Sequence, residues 1–429
     1  MTTESANSAI SQVLEIGEKS MRKHDKLSVF GGEPAISSSL HARVPAWPVV
    51  SSKTGDKLKE LYMSGQWSFN GRYEQQFCQE FAAFHTSEHG IFMMNGTVTL
   101  ECALLALGIK SGDEVIVPAI TWVATAMAVV YVGAIPVFVD IEPDTLCLDP
   151  QQLQRAITSK TKAIIPVHLY GSMANMDAIM QIANRYDIPV VEDCAHAHCG
   201  VWDGKGVGSL GKVGSFSFQQ SKNLPSGEGG ICITNDCDLK EKLFRLKHIG
   251  YNLGVAQGKA QSGPPEGLLC RNYRATEFQA LILLDQLKDM KRQTELRERN
   301  VQYLTGPLES IDGVNIQKRG LKADPQSYYS LAFSVEPLKF NNAPLEKIIA
   351  ALNAEGLACY KSYGPVYEHI LWSVPKANYR IAKDGCYTCE RMCRDSVITI
   401  CQNWLLGDTE LMDAIVAAVA KVSAHSKEL

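Results

Sequence analysis

Between residues 85 and 235 the chain alternates short apolar runs with stretches whose apolar positions recur at helical spacing. HGIFMMN (89–95), EVIVPA (114–119), AIPVFVD (134–140), KAIIPVHLY (162–170), IPVVED (188–193), GSFSFQ (214–219) and GGICIT (229–234) read as strands. Thr97–Gly108, Thr121–Val132 and Met176–Tyr186 carry the helical period. This alternation predicts an α/β fold, a parallel or mostly parallel sheet wrapped by helices, with ligands beyond the carboxyl ends of the strands. Val115 to Val139 holds no charged residue and imitates a membrane span. Pro118, Gly133 and Pro136 divide it into strand, helix and strand, so it predicts a buried βαβ unit of a soluble protein. A long helix is predicted over Thr276–Thr305, stopping before TGPLES. Beyond it, YYSLAFSV and SVITI mix with the helical LEKIIAALNAEG and DAIVAAVAKV, which predicts a smaller α+β domain. The expected division is a polar N-terminal extension (1–45), a large domain (46–305) and a small C-terminal domain (306–429).

Composition narrows the function. Of the 429 residues 45% are hydrophobic and 21% charged, as in a packed globular protein, which excludes disorder. The net charge of −4 and the lack of any long Lys/Arg run argue against a nucleic-acid partner. Thirteen scattered cysteines read as reduced, buried thiols of a cytoplasmic protein, and the first 26 residues contain no apolar signal-peptide core. No metal is expected. Cys386, Cys389 and Cys393 lack a fourth ligand, and the Cys194, His196, His198, Cys199 cluster, though three of its members share a strand face, has a competing use. Gly206-Val-Gly208-Ser-Leu-Gly211 matches the dinucleotide fingerprint, but a turn precedes it and a strand follows, so it reads as a hairpin connection.

Three strand ends hold candidate chemistry. At Asn95-Gly96-Thr97 a strand gives way to a helix, whose start either is simply capped or seats a phosphate. Val190-Val191-Glu192-Asp193 ends an apolar strand in two carboxylates, which either cap a neighbouring helix or reach the ligand crevice. Lys222 stands between the strand that ends at Ser217-Phe218-Gln219 and the loop Ser226-Gly227-Glu228-Gly229-Gly230, a placement suited to a Schiff-base amine. Phosphate seat, carboxylate and amine occur in the order that pyridoxal 5′-phosphate requires.

These segments resemble the DegT/DnrJ/EryC1/StrS sugar aminotransferases, pyridoxal-phosphate enzymes of fold type I (aspartate-aminotransferase-like). The resemblance runs from about Val44 to the C-terminus through GDEVIVPAITWVATAMAV, TKAIIPVHLYGSMANMD, VEDCAHAHCG, SFSFQQSKNLPSGEGG and NYRATEFQALILLDQL. It implies that Lys222 carries the cofactor and then moves the substrate proton, that Asp193 pairs with the pyridine nitrogen, and that Trp122 stacks on the ring. It further implies His196 near the ring hydroxyl, and Gly96, Thr97, Ser217 and Gln219 at the phosphate. Asn272 would reach the phosphate of a partner subunit, so a homodimer with shared sites is implied. Relatives that dehydrate replace the lysine by histidine; Lys222 therefore points to amino transfer. The family commonly has Ser-Gly-Thr at 95–97, and its nucleotide-sugar members have histidine or tyrosine at the Gln219 position. Ser-Phe-Gln-x-x-Lys looks instead like the aminotransferases of inosose-type cyclitols and like 3-amino-5-hydroxybenzoate synthase. The expectation is transfer of nitrogen from L-glutamine, or glutamate, to a ketone on a cyclitol or sugar ring in antibiotic biosynthesis. An aminobenzoate-type reaction stands second and a nucleotide-linked ketosugar third.

Overall fold

A computed structural model describes residues 26–256, 258–260 and 262–429. The polar, signal-free character of the first 25 residues is a reading that lies outside the described residues. The apolar runs become strands β1 (His89–Met93), β2 (Glu114–Pro118), β3 (Ile135–Val139), β4 (Thr161–Ile164) and β5 (Val191–Asp193). A short hairpin, β6 (Val201–Trp202) and β7 (Lys205–Gly206), precedes β8 (Val213–Ser217) and β9 (Gly230–Thr234). One half of the main sheet runs β1-β9-β8-β5, and the other runs β4-β2-β3. Parallel bridges Ile164–Val190 and Val167–Asp193 join the halves between β4 and β5. Only β9 runs against its neighbours. Every residue of β2 is buried, as expected of a parallel strand covered on both faces. The helices Gly96–Ala106 and Ala124–Tyr131 are apolar around much of their circumference, because they pack between the sheet and other helices.

The second body is an antiparallel sheet of β10 (Val314–Ile316), β11 (Ser330–Val335), β12 (Cys359–Lys361) and β14 (Val397–Cys401), in the order β10-β11-β14-β12. Its core includes Ile348, Leu352, Ile415 and Val419 from two helices, and also Leu27 and Ile36 from the N-terminal lead-in. The chain then returns to the large sheet. Strand β13 (Arg380–Ile381) pairs parallel with β3, and Cys386, Cys389 and Cys393 pack into the first core.

The long helix differs from its expected end. It runs Glu277–Glu309, straight through Gly306 and Pro307. Pro307 deletes one backbone donor and crowds the carbonyl four residues before it, a local cost. Here Leu304 and Leu308 are buried in the second core, so packing holds the final turn. Its start is legible in the sequence: Gln279 Oε1 accepts from the Thr276 N–H at 2.8 Å, half of a capping box. Among the described residues no helix is long and apolar enough to cross a membrane.

Candidate active site

The carboxyl ends of β1, β2, β5 and β8 open into one cavity of about 550 Å³. Its lining brings together Gly96, Thr97, Trp122, Asp193, His196, Ser217, Gln219 and Lys222. Asn272 alone of the expected residues is absent from that lining; it is exposed and bridges to His248.

The paired acids at the end of β5 part ways. Glu192 turns away from the cavity and is wholly buried. Its two oxygens accept N–H bonds from Gly208 (3.0 Å), Leu210 (2.8 Å) and Gly211 (2.7 Å), and His168 Nε2 lies 3.2 Å away. The loop that imitates a dinucleotide fingerprint is thus wrapped round a carboxylate of its own chain. His168, Glu192 and Cys194 are near enough to hold a metal, but the N–H bonds already occupy Glu192, and His168 Nδ1 accepts from Ala174 N–H at 3.1 Å. In the Cys194, His196, His198, Cys199 group, His198 is spent on the Ser217 carbonyl (2.8 Å) and its pKa is pushed down to about 3 by burial.

Asp193 faces the cavity. It accepts from the Thr125 hydroxyl at 2.7 Å and from Ala195 N–H at 3.2 Å, and Thr121 lies 2.8 Å behind Thr125. Burial raises its carboxyl above the usual range, while both hydrogen bonds and the Lys222 charge pull it back towards ionisation. The pair Thr121 and Thr125, four apart in Thr-Trp-Val-Ala-Thr, was legible as one face of a helix start but carried no signal of its partner.

Lys222 is buried, and burial lowers its amine to about 8, against the pull of Asp193. Its Nζ sits 4.4 Å from the centre of the Tyr329 ring. That ring also stacks on His196 (4.1 Å, 19°). His196 Nδ1 accepts from Tyr170 N–H at 3.4 Å, so the ring's proton belongs on Nε2, and burial keeps the imidazole neutral. Gln219 Oε1 accepts from the backbone N–H and the hydroxyl of Ser221, and that hydroxyl also meets Tyr329 Oη at 2.9 Å.

Tyr329 and Tyr363 come from the C-terminal third, and sequence reasoning missed them both. Backbone contacts bring them in: Tyr329 N–H donates to the Tyr170 carbonyl at 3.0 Å, and Val366 N–H to the Ala119 carbonyl at 2.8 Å. The first approach depends on Gly171 (φ +105°), where a Cβ would lie 1.4 Å from the Ser327 carbonyl oxygen. Tyr363 then stands 5.6 Å from Trp122, ring to ring. No motif spacing reports contacts of that range.

The residues fit a pyridoxal phosphate. The helix starting at Gly96 has first-turn N–H groups without intrahelical acceptors. A Cβ on Gly96 would come within 2.7 Å of Ser217 Cβ, so glycine keeps the helix start and Ser217 close enough to share one phosphate. Among the described lining residues Lys222 is the sole Lys or Arg.

A large, mostly parallel α/β/α domain with a lysine and an aspartate facing each other across its strand ends, completed by a small α+β domain, is the architecture of fold type I pyridoxal-phosphate transferases. Residues 50–417 match the DegT/DnrJ/EryC1/StrS aminotransferase family, and the chain belongs to it. It is 37% identical over 407 residues to the L-glutamine:2-deoxy-scyllo-inosose aminotransferase of Streptoalloteichus tenebrarius, covering 90% of this chain and 95% of the relative. Its fold matches 3-amino-5-hydroxybenzoic acid synthase with a TM-score of 0.80 at 30% identity, over 89% of this chain and 98% of the other. An aminotransferase from Psychrobacter cryohalolentis matches with a TM-score of 0.79, also at 30% identity, over 89% and 99%.

Proposed function

We propose that this chain is a cytoplasmic, homodimeric, pyridoxal-phosphate-dependent aminotransferase that moves nitrogen from L-glutamine, or L-glutamate, to a ketone on a cyclitol ring, in antibiotic biosynthesis. The observation that carries the reading is the buried Lys222 facing the buried Asp193 across a cavity whose other lining is neutral but for the exposed Glu228. The cofactor supplies an electron sink whose ring nitrogen must be protonated. Asp193, held by Thr125 and Ala195, keeps that proton in place. Trp122 and the first turn at Gly96 and Thr97, with Ser217 and Gln219, hold ring and phosphate. Neutral His196 offers its Nε2 proton towards the ring hydroxyl. Asn272, exposed and outside its own cavity, serves the neighbouring subunit's phosphate.

Lys222 does two jobs. It carries the cofactor at rest, and once released it takes the proton from the donor's α-carbon and later returns one to the acceptor's carbon. An amine near pH 8 is neutral often enough to accept a proton and acidic enough to give it back. The donor leaves as its 2-keto acid before the ring ketone enters, so nitrogen and protons balance over the two halves. A cavity lining without arginine suits an uncharged polyhydroxylated ring better than a nucleotide diphosphate. The resemblance of the cavity motifs to cyclitol enzymes supports the ranking. The test loads the enzyme with nitrogen from glutamine and offers scyllo-inosose, an aminobenzoate precursor or a nucleotide-linked ketosugar. Turnover of the inosose is expected. Turnover of the aminobenzoate precursor alone would promote that chemistry, and turnover of the nucleotide sugar alone would overturn the ranking.

A further inference from the structure

The loop that carries Lys222 leaves the sheet after β8 and returns at β9. Its base is closed by Phe218–Gly229, Ser226–Phe218 and Gln220–Gly227 backbone bonds, all 2.8 or 2.9 Å. Its tip has no sheet partner. Besides the Ser221–Tyr329 hydroxyl contact, groups from outside the loop hold it there. Asn223 Nδ2 donates to the Tyr328 carbonyl at 3.1 Å, and the indole Nε1 of Trp47 donates to the carbonyl of Lys222 itself at 3.2 Å.

Trp47 belongs to neither the loop nor the sheet. It lies in a strap, 45–49, that is pinned at both ends. Asn403 Nδ2 donates to the Pro45 carbonyl at 3.0 Å, and Gln286 Nε2 to the Val49 carbonyl at 2.7 Å. Between those pins the Trp47 ring rests against the Arg297 guanidinium, 5.3 Å from the ring centre. Arg297 is fully buried and donates to Gln402 Oε1, next to the residue that pins Pro45. Lysine loop, strap, long helix and small domain therefore meet at one indole.

We infer that Trp47 is a positioning residue for Lys222: its indole fixes the backbone from which the amine reaches. The inference rests on the reading of Lys222 as proton carrier. A side chain that must alternate between a bond to the cofactor and free proton transfer has a reach set by its Cα, because the chain of four methylenes is the same in both states. The Lys222 carbonyl is buried with the rest of the residue, so losing its donor leaves an acceptor unsatisfied and the loop free to turn towards water. The strap does not line the cavity, so the substrate affinity should not change.

The test is Trp47→Phe, which keeps an aromatic ring over Arg297 and deletes the N–H. In the holoenzyme, amide hydrogen exchange of the 219–226 segment should accelerate about tenfold, the worth of roughly one hydrogen bond, with the rest of the chain unchanged. The kcat should fall by about the same factor while the KM for the acceptor stays within about twofold. Asn403→Ala, which frees the strap at Pro45 but leaves the indole, should reproduce both effects at smaller size. It keeps the inference open to refutation if Trp47→Phe folds poorly. An unmoved exchange rate, an unmoved kcat, or acceleration spread evenly over the chain would overturn it. Lys222→Ala runs alongside: a fully active Lys222→Ala protein would sink the reading of the lysine, whereas an inactive one beside a normal Trp47→Phe would sink only the strap.

Discussion

Replacing Asp193 by asparagine separates charge from architecture, because the structure can absorb the amide. Asp193 accepts two bonds, from Thr125 Oγ1 and Ala195 N–H, and Thr121 lies behind Thr125 at 2.8 Å. An asparagine that keeps its oxygen towards Ala195 presents its amide to Thr125. That hydroxyl can then accept the new N–H and turn its own proton to Thr121. The rearrangement leaves one buried donor, the Thr121 hydroxyl proton, without an acceptor, so the expected cost to folding is about 1 kcal/mol. The cost to chemistry is different in scale. The carboxylate is the sole negative group buried in the cavity, and on the proposed reading it holds a proton on the cofactor ring. Losing an oriented charge in a dry site costs about a hundredfold or more, which is about 2.7 kcal/mol of barrier. Stopped-flow absorbance with glutamine and α-deuterated glutamine reads the proton-abstraction step, and chemical denaturation of the same samples reads stability. The expected outcome is retained cofactor, near-normal stability, and a slow step with a full isotope effect. A rate within about threefold of the parent enzyme would make Asp193 a structural acid and refute the argument.

Glu192→Gln is the mirror experiment: both Glu192 oxygens face N–H donors, so an amide must meet one of them. It should destabilise the fold by about 3 kcal/mol in denaturant, and a loss under about 1 kcal/mol would count against the anchoring role. For Lys222, burial lowers the folded amine from 10.5 to about 8, so between those values the unfolded chain holds a proton that the folded chain has released, and stability rises with pH. After cofactor removal, Lys222→Met should therefore be favoured over the parent by about 3 kcal/mol more below pH 8 than above pH 10.5, and a pH-independent difference would contradict this. Finally, Lys222→Ala and Asn272→Ala proteins, each inactive, should recover about a quarter of parental activity after subunit exchange, since half of the dimers then hold one intact site. No recovery would place Asn272 outside the partner's site.

Local pattern made the strands and helices of the large domain legible, since each is written in five to a dozen consecutive residues. The strand-end position of Asp193 and the strand-to-loop position of Lys222 were legible for the same reason. What escaped was always a matter of direction or distance. Glu192 and Asp193 are equal in a sequence, and only the opposed faces of a strand assign one to a loop and the other to a cavity. Tyr329 and Tyr363 carry no motif, and they reach the site because the Tyr170 and Ala119 carbonyls accept from the backbone of a distant segment, with room left by Gly171. The end of the long helix departs from its local signals: Gly306 and Pro307 read as a stop, overruled by burial of Leu304 and Leu308.

That same helix runs through both bodies. It is 33 residues long, about 50 Å. Ala280, Leu283, Leu284 and Met290 near its start belong to the first core, while Val301, Leu304 and Leu308 near its end belong to the second. A crossover between two relatives at residue 305 would keep Val301 and Leu304 from one parent and set them against a second core supplied by the other. Strand β13 adds a second thread, carrying residues of the far end of the chain back to the large sheet. The two bodies are therefore joined twice by continuous secondary structure, and a change in the wall around Tyr329 and Tyr363 has to fit both cores at once.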